Sequence, residues 1–273
     1  AASATISTGS LTTFNPNSNG EVWGMAYAGG TLYMGGTFTT MKGSSRNYAA
    51  AVTTANVLTS WSPNPDSYVF QVVPNNTGTS LFLCGYFGTV KGSNFPYVAK
   101  VNSTSGNPAS WKPNPDNYVT SIALRNNILY LEGGFTAING VQRKYFAAVD
   151  TSGNNPTSLR ADLNSYYVTS SRQLFINGNL LYITGNFSTI QDSARNKAAR
   201  IDLITGLVDS WNATGSLSPN YNVEAIAASG SDVLIGGGFG FLSLAQRNHV
   251  ASIDLSNNNY TVKDWQPAAP GTF

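Results

Sequence analysis

The sequence predicts an all-β repeat fold on three observations: one strand motif occurs five times, the copies stand at near-constant spacing, and nothing between them has helical periodicity. The motif is LYMGGTF at Leu32–Phe38, then LFLCGYF from Leu81, LYLEGGF from Leu129, LYITGNF from Leu181 and VLIGGGF from Val233. Two of its positions never vary. One is a glycine (Gly36, Gly85, Gly133, Gly185, Gly237); the other, two residues later, is a phenylalanine (Phe38, Phe87, Phe135, Phe187, Phe239). The glycines lie 49, 48, 52 and 52 residues apart. Short antiparallel strands repeated at this period around a ring make a five-bladed β-propeller, each blade a four-stranded sheet, closed between N- and C-terminal strands.

Each copy opens on a short alternating or apolar strand: VWGMAYA from Val22, VFQVVP from Val69, VTSIALR from Val119, VTSSRQLFI from Val168 and VEAIAA from Val223. Turn residues such as AGG, NNTG and NGN join it to the motif strand as a tight hairpin. Eight residues beyond the phenylalanine stand Arg46, Phe95, Arg143, Arg195 and Arg247. An Ala-rich third strand follows (NYAAAV, PYVAKV, YFAAVD, KAARID, HVASID), whose small side chains let a neighbouring sheet approach closely. A fourth strand is centred on Trp61, Trp111, Leu159, Trp211 and Trp265, and in SPNPD and KPNPD the prolines end it. The repeats therefore run over 22–68, 69–118, 119–167, 168–222 and 223–273 as one domain. Residues 1–21, with Phe14 in the tryptophan slot, supply a strand that closes the ring or is exchanged with a neighbour's open edge.

Composition narrows the function. Charged residues make up 10% of the chain and polarity comes from Ser, Thr, Asn and Gly, a pattern of secreted or surface-displayed proteins. A net charge of +2 without a basic stripe excludes a nucleic-acid surface. No apolar run is long enough for a membrane helix. AASATISTGS lacks the basic and apolar regions of a signal peptide, as an end left by removal of one would. Cys84 is the single cysteine, so packing must hold the fold; it reads as a small buried filler.

Chemistry-bearing constellations are few. His249 is the one histidine, in a repeat slot shared with Tyr48, Tyr97, Tyr145 and Lys197, and reads as a packing residue. With one His and one Cys there is no zinc site, and no cofactor motif is present. A glycoside-acting site needs two carboxyl groups across the scissile bond, for which the candidates are Glu132 and Glu224, both breaks in the repeat pattern. Asp150, Asp202 and Asp254 share a slot at the start of turns and read as turn formers. Asp66 and Asp116 in the PNPD connections, and the loop lysines Lys42 and Lys91, complete the candidate ligand-binding residues. The arginine slot is placed to stack on an aromatic ring or pair with a turn carboxylate. Trp61, Trp111, Trp211 and Trp265 read as wedges between sheets. The loops after each phenylalanine (TTMKGSS, GTVKGSN, TAINGVQ, STIQDSA, GFLSLAQ) do not repeat, which argues against five equivalent sugar sites.

The whole unit resembles the delta-60 repeat β-propeller family, whose repeats carry LYxGGxFTxxNG, an RNxxAxxD segment and a SWxPN ending. LYMGGTFTTMKGSSRNYAAAV, TSWSPNPD, LYLEGGFTAINGVQRKYFAAVD and ARIDLITGLVDSW carry the resemblance, over about residues 5–268. It implies a secreted bacterial surface propeller without defining catalytic residues; Phe95 and Leu159 depart from its pattern. The expected function is non-catalytic: a binding or adhesion module for a glycan or protein at a cell surface, with neither nucleic-acid binding nor membrane insertion. The alternatives are a structural subunit of an extracellular filament, self-associating through terminal strands, and a glycoside-acting enzyme.

Overall fold

The structure, a computed structural model, describes residues 12–164, 173–211, 223–239, 241–242, 245–247, 249–256 and 261–264. Trp265, the start of the fourth copy at Val168, and most of the two predicted terminal strands lie outside these residues. Among the described residues every regular element is a strand, and no helix is long and apolar enough to cross a membrane. The protein is an all-β repeat protein. Two compact units are distinguished: one built on residues up to Leu129 with Phe135–Gln142 and Val149–Pro156, the other on Tyr130–Gly134, Arg143–Ala148 and residues from Thr157 on.

Each copy forms one antiparallel sheet with its motif strand in the middle. The first strands are Val22–Ala28, Val69–Pro74, Val119–Arg125, Leu174–Asn177 and Val223–Ser229; the motif strands are Thr31–Gly36, Ser80–Gly85, Ile128–Gly133, Leu180–Thr184 and Asp232–Gly237. The third strands are Ala49–Thr53, Val98–Asn102, Phe146–Asp150, Ala198–Asp202 and Val250–Asp254. Alternation along each strand gives a sheet two distinct faces, and within each unit neighbouring sheets pack face to face. In the first unit, Tyr33, Ala49, Ala51 and Trp61 of the first sheet pack on Val69, Val72, Leu83 and Phe87 of the second. In the second unit, Tyr182, Ala198 and Trp211 pack in the same way on Val223, Ile226, Ile235 and Phe239. All five motif phenylalanines are at most 2% exposed. Side-chain amides add register between sheets: Gln71 Oε1 accepts the Ile122 N–H at 2.7 Å, and Gln173 Oε1 accepts the Ile226 N–H at 2.8 Å.

The fourth strands are shorter than expected. Among the described residues only Thr261–Val262 forms a ladder; the other segments make a single bridge, at Val52–Leu58, Val101–Pro108, Val149–Pro156 and Ile201–Val208. Thr59 N–H reaches Ala51 O at 2.9 Å, after which the Trp61 indole turns into the core and the Pro63 and Pro65 nitrogens have no proton to donate. Trp61 and Trp111 reach the next copy through their indoles: Trp61 Nε1 donates to Asn102 O at 3.0 Å and Trp111 Nε1 to Asp150 O at 2.9 Å, each a carbonyl of the following copy.

Between the phenylalanine and the arginine slot lies a small hairpin that the sequence reading took for loop, such as Thr40–Met41 with Ser44–Ser45. Its two-residue turns have φ of 50° and 75° at Lys42 and Gly43, 48° and 73° at Lys91 and Gly92, and 47° and 77° at Asn139 and Gly140. Two positive φ values define the type I′ turn that suits the strand twist. The arginine clips this hairpin to the fourth segment by backbone carbonyls. Arg46 donates to Ser45 O and Thr59 O, both at 2.8 Å; Arg143 donates to Thr157 O at 2.7 Å; Arg247 reaches Lys263 O at 2.8 Å, with Asp264 Oδ1 farther off at 3.4 Å. Where Phe95 replaces arginine, Lys112 from the fourth segment brings its Nζ over the ring, 4.3 Å from the centroid.

The slot of Tyr48, Tyr97, Tyr145, Lys197 and His249 has φ between 60° and 68° in all five copies. This left-handed backbone is uncommon for bulky side chains and costs about 1–2 kcal/mol. Two hydrogen bonds hold it. The slot's carbonyl accepts the motif glycine's N–H at 2.9–3.1 Å in every copy; its own N–H donates to the phenylalanine carbonyl at 2.8–2.9 Å in the first, second, fourth and fifth. The glycine itself is needed for space. A Cβ on Gly36 would lie 1.9 Å from Glu21 O, and one on Gly85 2.1 Å from Tyr68 O.

Candidate binding surface

The structure gives most of the predicted site residues framework partners. Asp66 Oδ1 accepts the Gly88 and Thr89 N–H groups at 2.8 and 3.0 Å. Asp116 Oδ1 accepts those of Thr136 and Ala137 at 2.7 and 3.1 Å, and its Oδ2 the Thr136 hydroxyl at 2.6 Å. Asn19 and Asn164 do the same for Thr39–Thr40 and Ser188–Thr189. An Asx residue five positions after Phe14, Trp61, Trp111 or Leu159 thus caps the turn behind the next motif strand. Partial burial pushes the Asp116 carboxyl up, but its three hydrogen bonds outweigh this and hold it below the ordinary carboxylate range. Asp150 closes its turn through the Ser152 hydroxyl and N–H, Asp202 through the Thr205 and Ile204 N–H groups and Asp254 through the Ser256 N–H, and these bonds lower their pKa.

Lys42 and Lys91 sit at exposed hairpin tips, and Lys91 Nζ donates to Asn107 Oδ1 at 2.7 Å. Glu132 is wholly buried on Ile128–Gly133, whereas Glu224 is exposed on Val223–Ser229. Burial pushes the Cys84 thiol far above its ordinary range. His249 is exposed, its Nδ1 3.2 Å from Gly237 O. Among the described residues no three His, Cys, Asp or Glu side chains gather where a metal ion could be held.

What sequence reasoning missed lies at one end of the sheets of the first unit. The clamp puts three positions side by side there: the residue before the first strand, the residue between motif glycine and phenylalanine, and the left-handed slot. In the second sheet all three are tyrosines, Tyr68, Tyr86 and Tyr97, with Tyr86 N–H bonded to Tyr68 O at 2.9 Å. Rings from the neighbouring sheets extend the cluster. Tyr48 and Trp23 meet Tyr68 at centroid distances of 5.6 Å, and Tyr118 meets Tyr86 at 5.3 Å. Tyr97 lies 6.4 Å from Tyr86. Yet the surface is not closed over: Trp23, Tyr68 and Tyr86 are 45%, 44% and 53% exposed. The hydroxyls of Tyr48, Tyr68, Tyr86 and Tyr97 have no partner among the described residues. The same positions in the fourth and fifth copies are polar or bare: Asn186 with Lys197, and Gly238 with His249.

No protein-family model matches the chain, and no curated protein matches it. Among solved structures it is similar to the computationally designed protein Ika8, at 14% identity and a TM-score of 0.56, with 89% of this chain and 61% of that one covered. It is also similar to the designed protein Ika4, at 12% identity and a TM-score of 0.44, over 64% of this chain and 91% of that one. The likeness to Ika8 is one of fold alone, and the present chain spans 61% of that protein's length.

Proposed function

We propose that this chain is a secreted or surface-displayed binding module, not an enzyme, whose tyrosine rim docks a protein partner. The observation that carries this reading is that the exposed tyrosines are not demanded by the frame. Lys197 and His249 sit in the same clamp, at the same φ, as Tyr48 and Tyr97. Tyrosine and tryptophan are the residues on which protein interfaces concentrate their energy. The mutual packing favours a protein over a stacked sugar: Trp23–Tyr68, Tyr48–Tyr68 and Tyr86–Tyr97 meet at interplanar angles of 73–78°, so one ring's edge covers another's face. The test is binding to intact cells before and after protease treatment of their surface. Protease-sensitive binding that is lost in Tyr86→Ser supports the reading; binding that survives protease and is abolished by periodate would assign the rim to a glycan.

The fold belonging to this reading is a five-bladed propeller of the delta-60 repeat type, closed on itself. Its support is a pair of mismatched slots. Val72, Ile122, Leu174 and Ile226 are 1–3% exposed on first strands, but Met25 in the same slot is 58% exposed. On the opposite faces, Tyr33, Phe82, Tyr130 and Tyr182 are at most 6% exposed, but Leu234 in their slot is 41% exposed. Each open slot wants what the other sheets already have, and ring closure supplies it. The same two slots favour a second reading, a filament subunit joined through its ends by terminal strand exchange. Light scattering against concentration separates them: a constant monomer mass supports closure, whereas mass that grows with concentration and falls on deleting residues 1–16 or 258–273 supports the filament.

A further inference from the structure

A cavity of about 300 Å³ opens between the first and second sheets, away from the tyrosine rim. Its walls are Thr31, Tyr33, Ser60, Trp61, Ser103 and Thr104, with Ala28, Gly29, Thr59 and Gly78. None of these is charged, so nothing in the lining would offset the cost of desolvating an ion. The hydroxyls of Thr31, Ser60, Ser103 and Thr104 have no partner among the described residues. The aromatic wall is rigid: Tyr33 and Trp61 meet edge to face at 5.1 Å, and Tyr33 Oη donates to Ser103 O at 2.9 Å.

Comparison with the second and fourth copies shows what covers the ring pair there; the third copy, with Leu159 in place of the tryptophan, has Ala148 in the slot of Ala51. The residue cross-strand from the ring is Ala51 opposite Tyr33, but Lys100 opposite Phe82 and Arg200 opposite Tyr182. Lys100 Nζ lies 5.8 Å from the Phe82 centroid and 3.4 Å from Thr151 O, the carbonyl in the slot of Ser103. Arg200 lies 5.8 Å from the Tyr182 ring centre and 5.9 Å from that of Trp211. A long cation therefore covers the ring pair in the second and fourth copies. In the first, Ala51 leaves the space and Tyr33 Oη takes over the bond to the turn carbonyl.

We propose that this cleft binds a single neutral glycosyl unit. The volume is that of a small ligand pocket, the floor is aromatic, and free hydroxyls ring the mouth. A neutral polyol meets all three; an ion or a purely apolar ligand does not. The site is independent of the tyrosine rim and of the partner proposed for it.

The experiment is saturation-transfer NMR followed by titration with methyl glycosides of glucose, galactose, mannose, fucose and N-acetylglucosamine. At least one is expected to bind, and Ala51→Lys, which copies the second sheet, should weaken it at least about tenfold, or ~1.4 kcal/mol. Thr104→Val and Ser60→Ala leave the packing intact and should each weaken binding severalfold, which keeps the test valid if Ala51→Lys fails to fold. Tyr86→Ser should leave glycoside binding unchanged while changing the rim. No binding by any of the five, or affinity indifferent to Ala51→Lys and Thr104→Val alike, would overturn the proposal.

Discussion

Tyr97 and Lys197 hold the same place in the same clamp, and comparing them separates what the fold needs from what the surface does. Both have a left-handed backbone, with φ of 65° and 67°, and both donate to the motif phenylalanine and accept from the motif glycine. One side chain ends in a cluster of exposed rings; the other is a half-buried ammonium group whose pKa is lowered by desolvation. The backbone demand is therefore met by the hydrogen bonds and not by any side chain. Chemistry at the rim is free to differ from copy to copy, and it does: aromatic in the first unit, polar at Asn186, Lys197 and His249.

The frame should break first and hardest. Gly85→Ala would set a methyl 2.1 Å from the Tyr68 carbonyl oxygen, and we expect a loss of at least about 3 kcal/mol in urea unfolding. Arg46→Met removes the bonds to Ser45 and Thr59 carbonyls and should cost about 1–2 kcal/mol by the same measurement, and Phe95→Arg should also destabilise, because it removes the buried ring under Lys112 Nζ and sets a second cation beside it.

Asp116→Ala strips the cap from Thr136 and Ala137 and should cost about 1 kcal/mol, while Asp116→Asn should stay within about 0.5 kcal/mol because Asn19 and Asn164 make the same bonds. The sign of its pH dependence follows from the lowered pKa. The carboxylate's contribution is present above the unfolded value near pH 4 and is lost as pH falls through the lower folded value, so acid should narrow the gap between wild type and Asp116→Asn. A gain in place of a loss should come from Lys197→Gly, which relieves the left-handed strain and should raise stability by up to about 1 kcal/mol without touching the aromatic rim.

Much of the frame could be read from residues alone. Gly36 and Phe38 announced themselves by recurring, and Asp150, Asp202 and Asp254 close turns as their slot suggested. The Asx cap at Asn19, Asp66, Asp116 and Asn164 was not read from the sequence, which offered Asp66 and Asp116 as ligand-binding residues; its bonds run to the next copy's turn and show only in three dimensions. Lys42–Gly43 and Lys91–Gly92 hid their hairpins because lysine is not a residue that favours positive φ. Nothing in Tyr48 or Tyr97 betrays a left-handed backbone. The rim was illegible for a further reason: Tyr68, Tyr86 and Tyr97 are separated along the chain and become neighbours only where three strand ends meet. The cleft depended on a combination, the Tyr33–Trp61 ring pair with Ala51 where the second and fourth copies have Lys100 and Arg200, in slots that all read simply as strand.

The most direct measurement pairs two readouts on one sample of the Tyr68→Ser/Tyr86→Ser variant: its unfolding midpoint and its binding to the protease-sensitive partner. If rim and frame are separable, the midpoint should move by no more than the equivalent of about 1 kcal/mol while binding falls about a hundredfold. A midpoint that collapses together with binding, or binding that survives both substitutions, would contradict the account.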